Sequence, residues 1–403
     1  MSDSRGQAAS AFRFHGKWQE FAGIAVPNLL LTIVTLGIYR FWATTREREY
    51  LWSKTDFIDE RLEWTGRGME LFIGFVMAVF LILVPFFALQ FATQALALRG
   101  YGGWAALLTF AMFGFIMYMI GIARFRALRY RLSRTYWHGI RGGSDDQGFG
   151  YGWSYVWKTV SGYFAFGLLV PWAMMELWND RWNKMSFGPH KIDAVGNYAD
   201  TFKRYLLFYL MPILLFVGVL ASAALLGGAG VIGGPQAGIV VGAVVVFAFY
   251  IGLGLVALAF YAKFFRVAVA GLSLHRLQFA FPAKTRDWFI LFFGDVGLWL
   301  LAALPIIAGL AAFGVFAGFA MPDTMTSPEA LASWSESLGL IFIGVAVLPF
   351  ALVGPFIRYR HWKFFVTHME AFGEVNLDEL TQSKTVVSKH GEGLLDAFDV
   401  GAI

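Results

Sequence analysis

Residues 70–99 read ELFIGFVMAVFLILVPFFALQFATQALALR, and the 28 positions between Glu70 and Arg99 carry no charge. A helix that crosses a bilayer needs about 20 apolar residues, so this stretch is long enough to span. Further along, 24 uncharged residues separate Arg99 from Arg124, and 58 separate Arg204 from Lys263. The glycine-rich run Gly227–Gly238 breaks that last stretch into two helices with a tight turn. From Asp287 to Asp323 the only charge is Asp295, and Glu336 and Arg358 are 21 uncharged residues apart. Two shorter stretches complete the set, 19 residues between Glu20 and Arg40 and 17 between Lys158 and Glu176. The chain therefore holds eight apolar segments.

Composition agrees with the pattern. Of 403 residues, 58% are hydrophobic and only 15% charged, against about 25% charged in an ordinary soluble domain. Mean hydropathy is +0.60. These values exclude disorder, coiled coil and collagen and leave an integral membrane protein. The net charge of +5 comes from basic residues divided among short segments between apolar runs, so no nucleic-acid partner is expected. With no cysteine, disulfides, iron–sulfur clusters and thiol catalysis are excluded. The opening MSDSRGQAAS lacks an apolar core, so no cleaved signal peptide is expected.

Short loops rich in Lys and Arg stay cytoplasmic. Residues 93–103 contain Arg99 alone, and residues 227–236 and 321–337 contain no Lys or Arg. These should lie outside. Residues 40–68 and 124–141 contain six each, and 179–204, 263–286 and the tail from Arg358 five each. These should lie inside. Eight simple crossings cannot satisfy that distribution, because the first and fourth segments have basic residues on both sides. Both are interrupted, the first by Pro27-Asn28 and the fourth by Gly162, Gly167 and Pro171. The charge pattern predicts that they enter the membrane and return, or lie in its interface. Six helices then cross, both termini are cytoplasmic, and 31 of the 32 Lys and Arg lie inside.

The first and fourth segments are also copies. At an ungapped offset of 130, Gly37 matches Gly167, Trp42-Ala43 matches Trp172-Ala173, and Trp52, Lys54, Phe57 and Gly66 match Trp182, Lys184, Phe187 and Gly196. A parallel internal repeat follows. The cytoplasmic segment 1–19 precedes repeat unit 1 (20–150) and repeat unit 2 (151–286). A partial third unit (287–370), a helix hairpin, and a cytoplasmic tail (371–403) follow. Residues 43–53 read as a helix, FIDERLEWTG as a short strand pair, and LQFAFPA at 277–283 alternates as a strand does. The expected fold is an all-α integral membrane protein with six transmembrane helices, two re-entrant or interfacial segments and small cytoplasmic β elements.

NLLLTIVTLGIYRFW, followed by Tyr50 and then WTG, resembles the opening signature of the bacterial YjgN-type family. RYRLSRTYWHGIRGG at 129–143 resembles its central signature, and GEGLLDAFDVGAI its C-terminus. The resemblance covers essentially the whole chain. It implies a multipass protein of the bacterial inner membrane and supplies no catalytic residues. One departure is Phe41, where the family has proline before the tryptophan; the second copy keeps Pro171-Trp172.

Candidate chemistry is sparse. Asp295 lies about eight residues into its segment, ~12 Å deep at ~1.5 Å per residue. A carboxylate there should face protein or water and could serve as a proton or cation site. Asn28 beside Pro27 could line a re-entrant tip, or cap the helix after the break. Glu176 brackets the fourth segment with Lys158. Arg124, Arg126, Arg129 and Arg131, with Trp42 and Trp172, are candidate contacts for anionic lipid headgroups at the cytoplasmic face. His361 and His368 lack the cysteines or clustered carboxylates of a metal site, and no metal or cofactor is expected. No GxSxG, HExxH or P-loop occurs in a suitable context, so an enzyme is not expected. Re-entrant segments, parallel repeats and Asp295 favour a transporter- or channel-like protein. The alternative is a non-transporting membrane protein that binds lipid or a partner at its cytoplasmic face, in envelope maintenance. A homo-oligomer is compatible with the sequence but nothing in it argues for one.

Overall fold

The computed structural model describes residues 11–228, 235–320, 351–373 and 381–385. Its plan is a set of helical hairpins whose ends meet short antiparallel strands gathered in two sheets.

Strand β1 (Phe12–Phe14) leads into helices α1 (Trp18–Val34) and α2 (Arg40–Ser53), and α2 runs into strands β2 (Thr55–Phe57), β3 (Glu60–Arg61) and β4 (Glu63–Trp64). Helices α3 (Gly68–Leu98) and α4 (Gly102–Arg134) form the next hairpin, ending in β5 (Thr135–Trp137) and β6 (Ile140–Gly143). Helices α5 (Phe149–Phe164) and α6 (Val170–Trp182) end in β7 (Ser186–Phe187) and β8 (His190–Ala194). Helices α7 (Ala199–Gly228) and α8 (Pro235–Ala270) end in β9 (Leu272–Leu274) and β10 (Leu277–Ala280). Helix α9 (Thr285–Ala320) begins the last hairpin. Its return arm is described over 351–368 (α10) and ends at β11 (Glu370–Phe372).

Five helical stretches among the described residues are long and apolar enough to cross a membrane: Gly68–Leu98, Gly102–Arg134, Ala199–Gly218, Phe249–Ala270 and Thr285–Gly309. The eighth apolar segment lies outside the described residues up to position 350. The arms α1 and α5 are 17 and 16 residues long, or ~25 Å at ~1.5 Å per residue, short of a ~30 Å hydrocarbon core. Both of these short hairpins turn through a left-handed pair, Leu36-Gly37 and Phe166-Gly167, each with positive φ. The tips are apolar and open: Leu36 is 94% exposed and Phe166 86%. Within the first, Thr35 binds both arms of the turn, donating to the Leu31 carbonyl and accepting from the Tyr39 amide.

The sheet corrects the expectation of an all-α protein with small, separate β elements. Eight strands, β4 to β11, form one antiparallel meander, and β1, β2 and β3 form a three-stranded sheet. Only Leu62 separates β3 from β4, so the chain passes directly between the two. Four two-residue loops, 58–59, 138–139, 188–189 and 275–276, join hairpin strands, and each opens with a positive-φ residue: Ile58, His138, Gly188 and His275. Such loops match the twist of paired strands. Adjacent hairpins then pair with each other, Gly142 opposite Phe187 and Ile192 opposite Leu274. Those contacts join distant parts of the chain, which is why local patterning shows strands but not one sheet. The sheet is curled: Phe57, Trp137 and Leu277, from β2, β5 and β10, share one apolar cluster.

Candidate functional site

Every even-numbered helix, from α2 to α10, delivers its C-terminal end to one of the two sheets. Between those ends and the strands lies a cavity of about 440 Å³. Its helical side carries Trp52 of α2, Leu128 and Arg131 of α4, Trp178 and Trp182 of α6, Val269 of α8 and Phe365 of α10. Its sheet side carries Phe57, Trp137, Ile192, Leu272, Leu274 and Phe279. The volume falls in the lower half of the ~300–1,000 Å³ typical of small-molecule sites. The lining is overwhelmingly apolar, and five of the 15 tryptophans line it: Trp52, Trp137, Trp178, Trp182 and Trp362.

The ring of helix ends is fastened by specific contacts. Trp52 donates to Thr135 Oγ1 (2.9 Å) and Trp137 to the Phe57 carbonyl (2.9 Å). Arg134 and Glu70 pair bidentately at 2.9 Å, joining the end of α4 to the start of α3. Arg358 pairs with the buried Glu47 at 2.8 Å, joining α10 to α2.

Two cations in the wall lack a hydrogen-bond or ion-pair partner among the described residues, and of these Arg276 is exposed to water while Arg181 is partly enclosed. Arg181, in the last turn of α6, makes no hydrogen bond or ion pair among the described residues, and its Nε is buried without a partner. Its guanidinium carbon lies 5.6 Å from the centroid of the Trp178 ring. Burial and the nearby Arg124 lower its pKa, against an opposing pull from Tyr151 and Tyr261.

The residues singled out from the sequence do not converge. Asp295 accepts from Arg360 (2.8 Å) and bonds His361 (2.6 Å), both on α10 and neither on the first or fourth segment. It does not line the apolar cavity. Asn28 is buried and donates to the Ala43 carbonyl at 3.4 Å, tying α1 to α2 rather than lining an open tip. Glu176 lies 3.4 Å from the buried Lys158, which pairs more closely with Asp180 at 2.6 Å. Asn28 and Lys158 are 130 positions apart and both are buried, one bonded through its amide and the other in an ion pair.

The basic cluster divides. Arg124 is exposed, over the Tyr155 ring, and Arg126 donates to the Gln147 carbonyl. Arg129 is 2% exposed and donates to the Asp146 carbonyl at 3.0 Å, so its side chain serves the interior. Arg131 lines the cavity and donates to the Ala127 carbonyl. Trp42 packs on Phe72 and Trp172 on Trp157, both partly exposed. Among the described residues no group of three or more metal-ligating side chains occurs. Arg181 was missed in the sequence. Its only signal was its place next to Trp182, the partner of Trp52 in the repeat.

Residues 9–397 match the family model described as bacterial protein of unknown function (DUF898). The chain belongs to this family. It is similar to the inner membrane protein YjgN of Salmonella typhimurium strain LT2, 29% identical over 130 residues, or 32% of this chain and 30% of that protein. The protein of the same name from Escherichia coli O157:H7 is 30% identical over 132 residues, with the same coverage. That of Escherichia coli K12 is 36% identical over 70 residues, 17% of this chain and 18% of that protein. The matched stretches thus span less than a third of these relatives. No solved structure matches the chain.

Proposed function

We propose that the protein is a multipass bacterial inner-membrane protein that holds a lipid-derived apolar ligand at its cytoplasmic face and moves no solute through its bundle. The observation that carries this is the cavity itself, which is apolar and walled by every returning helix and by the curled sheet. A solute pathway would instead need polar groups converging at membrane depth. Asp295, the strongest candidate for one, is held by Arg360 and His361 away from the cavity.

The membrane arrangement supports the same reading. Each helical hairpin begins and ends beside the strands of the two sheets, which supports all hairpins entering the membrane from one side. Two have both arms long enough to cross and the third has one such arm among the described residues, which together with the 21 uncharged residues between Glu336 and Arg358 favours six crossings. The two short ones then turn back within the leaflet, with Leu36 and Phe166 at their tips. Their elements recur at the 130-residue offset, as expected of a duplicated unit. The basic loops favour a cytoplasmic side for the sheet and for both termini. There Arg124 and Arg126 face anionic headgroups, each worth about 1 kcal/mol near the surface, and the partly exposed Trp42 and Trp172 suit the same interface.

Native mass spectrometry of the protein purified in a mild detergent tests the proposal. A bound mass of lipid-derived material should persist in wild type after detergent washing, and be lost in Leu274→Trp, which fills the cavity. Wild type without adduct, or equal adduct in the filled variant, overturns the reading.

A further inference from the structure

We infer that the ligand of this cavity is a single-chain anionic amphiphile, its chain lying among the tryptophans and its anionic head on Arg181. The inference rests on the cavity being a ligand site. It names the chemistry that the wall asks for.

A guanidinium remains charged at any physiological pH. Taken out of water, a charge is tolerable only when paired. Arg181 has no acid beside it: its neighbour Asp180 is engaged by Lys158 (2.6 Å) and by the Ser154 hydroxyl (2.7 Å). No carboxylate among the described residues acts on it, and the cation Arg124 adds to the effect of burial against the opposing pull of Tyr151 and Tyr261. Burial depresses its pKa for want of a counter-charge. The flanking Trp178 and Trp182 have buried indole N–H groups with no acceptor among the described residues. This stretch of wall therefore offers donors and positive potential and lacks an acceptor. Most of the rest of the lining is aliphatic and aromatic, which suits a hydrocarbon chain, and its other cationic or titratable members are Arg131, Arg276, His190 and His275. About 440 Å³ suits one chain better than two.

Tryptophan quenching by brominated lipids in the detergent-solubilised full-length protein tests this, at alkaline pH so that the carboxyl head is ionised. Dibromostearate should quench saturably, at a concentration about tenfold below that of the uncharged dibromostearyl alcohol, as expected for a hydrogen bond to a charged group. Arg181→Gln should bring the two together, and Arg181→Lys should keep most of the preference. Removing an unpaired, partly buried charge should not cost folding, and the lysine variant covers the case in which it does. A lysophospholipid and a two-chain phosphatidylglycerol, both brominated, separate the sources of the head. A saturable lysophospholipid keeps the inference and adds a phosphate head. A two-chain lipid that outcompetes both overturns the single chain. Equal quenching by stearate and alcohol in wild type overturns the role of Arg181 while leaving the cavity a ligand site. No saturable quenching by any lipid overturns the ligand site itself.

Discussion

Trp52 and Trp362 stack with ring centroids 4.1 Å apart, and Trp362 donates its indole N–H to Thr55, 307 positions earlier in the chain. This pair closes the ring of helix ends, joining the first even-numbered helix to the last. Trp362→Phe keeps the stack and loses the hydrogen bond, which should cost about 1 kcal/mol. Trp362→Ala also opens the cavity wall and should cost about 3–5 kcal/mol. Thermal unfolding in detergent gives both values as shifts in Tm. An alanine variant with the wild-type midpoint would show that the ring is not held there.

The Glu70–Arg134 pair fastens the α3–α4 hairpin at its open end, with side chains 22% and 12% exposed. Glu70→Gln should cost about 2–3 kcal/mol, because it strands a largely buried guanidinium. In the double variant Glu70→Gln/Arg134→Met the loss should be smaller than the sum of the single losses. Strict additivity would mean that the two side chains do not act on each other.

Asp146 supplies a pH dependence. Burial raises its pKa, but Lys184, the Gly148 amide and Arg129 outweigh that and hold it below the ordinary 3.8. A depressed folded pKa contributes stability above the unfolded value and loses it as pH falls through the folded one. Wild type should therefore exceed Asp146→Asn in Tm at neutral pH, by a modest margin because the pair is partly exposed. The margin should close below about pH 4. A gap that persists unchanged there would place the effect elsewhere.

The parts of this fold that are local in sequence were legible. Charge-free lengths marked the five candidate spans, and Gly37 and Gly167 sit at the turns of the two short hairpins, whereas the expected interruption at Pro27-Asn28 is absent because α1 continues through it to Val34. FIDERLEWTG and LQFAFPA read as strands and are strands. The rest depends on pairings between distant segments. RYRLSRTYWHGIRGG holds a complete hairpin turning at His138-Gly139, yet its pairing with β7 is visible only in three dimensions. The same holds for the site. Asp295 stood out because a carboxylate within an apolar run is costly, but the sequence could not show that α10 brings Arg360 and His361 to it. Arg181 looked like an ordinary helix-end cation, suited to the C-terminal dipole, until its surroundings were known.

Gly37 tests the first short hairpin by backbone alone. Its φ is +91°, and a methyl group added to it would meet nothing within 4 Å. Gly37→Ala should therefore cost about 1–2 kcal/mol from the left-handed conformation only. Gly167 is the matching position, with φ +85° and its carbonyl accepting the Tyr205 hydroxyl at 2.6 Å. Tyr205→Phe should lower Tm by the value of that bond, about 1 kcal/mol. Stabilisation by Gly37→Ala would mean that the turn adopts another conformation.

The central claim is that the cavity beneath the helix ends, and not only the outer face of the bundle, contacts an acyl chain. Photo-crosslinking with a diazirine-bearing fatty acid, followed by peptide mapping, tests it most directly. The account predicts labelled peptides that contain Trp178–Trp182, Leu272–Phe279 and Phe365–Met369, competed away by excess unlabelled fatty acid. Labelling confined to the candidate spans Gly68–Leu98 and Thr285–Gly309, and unaffected by competition, would contradict it.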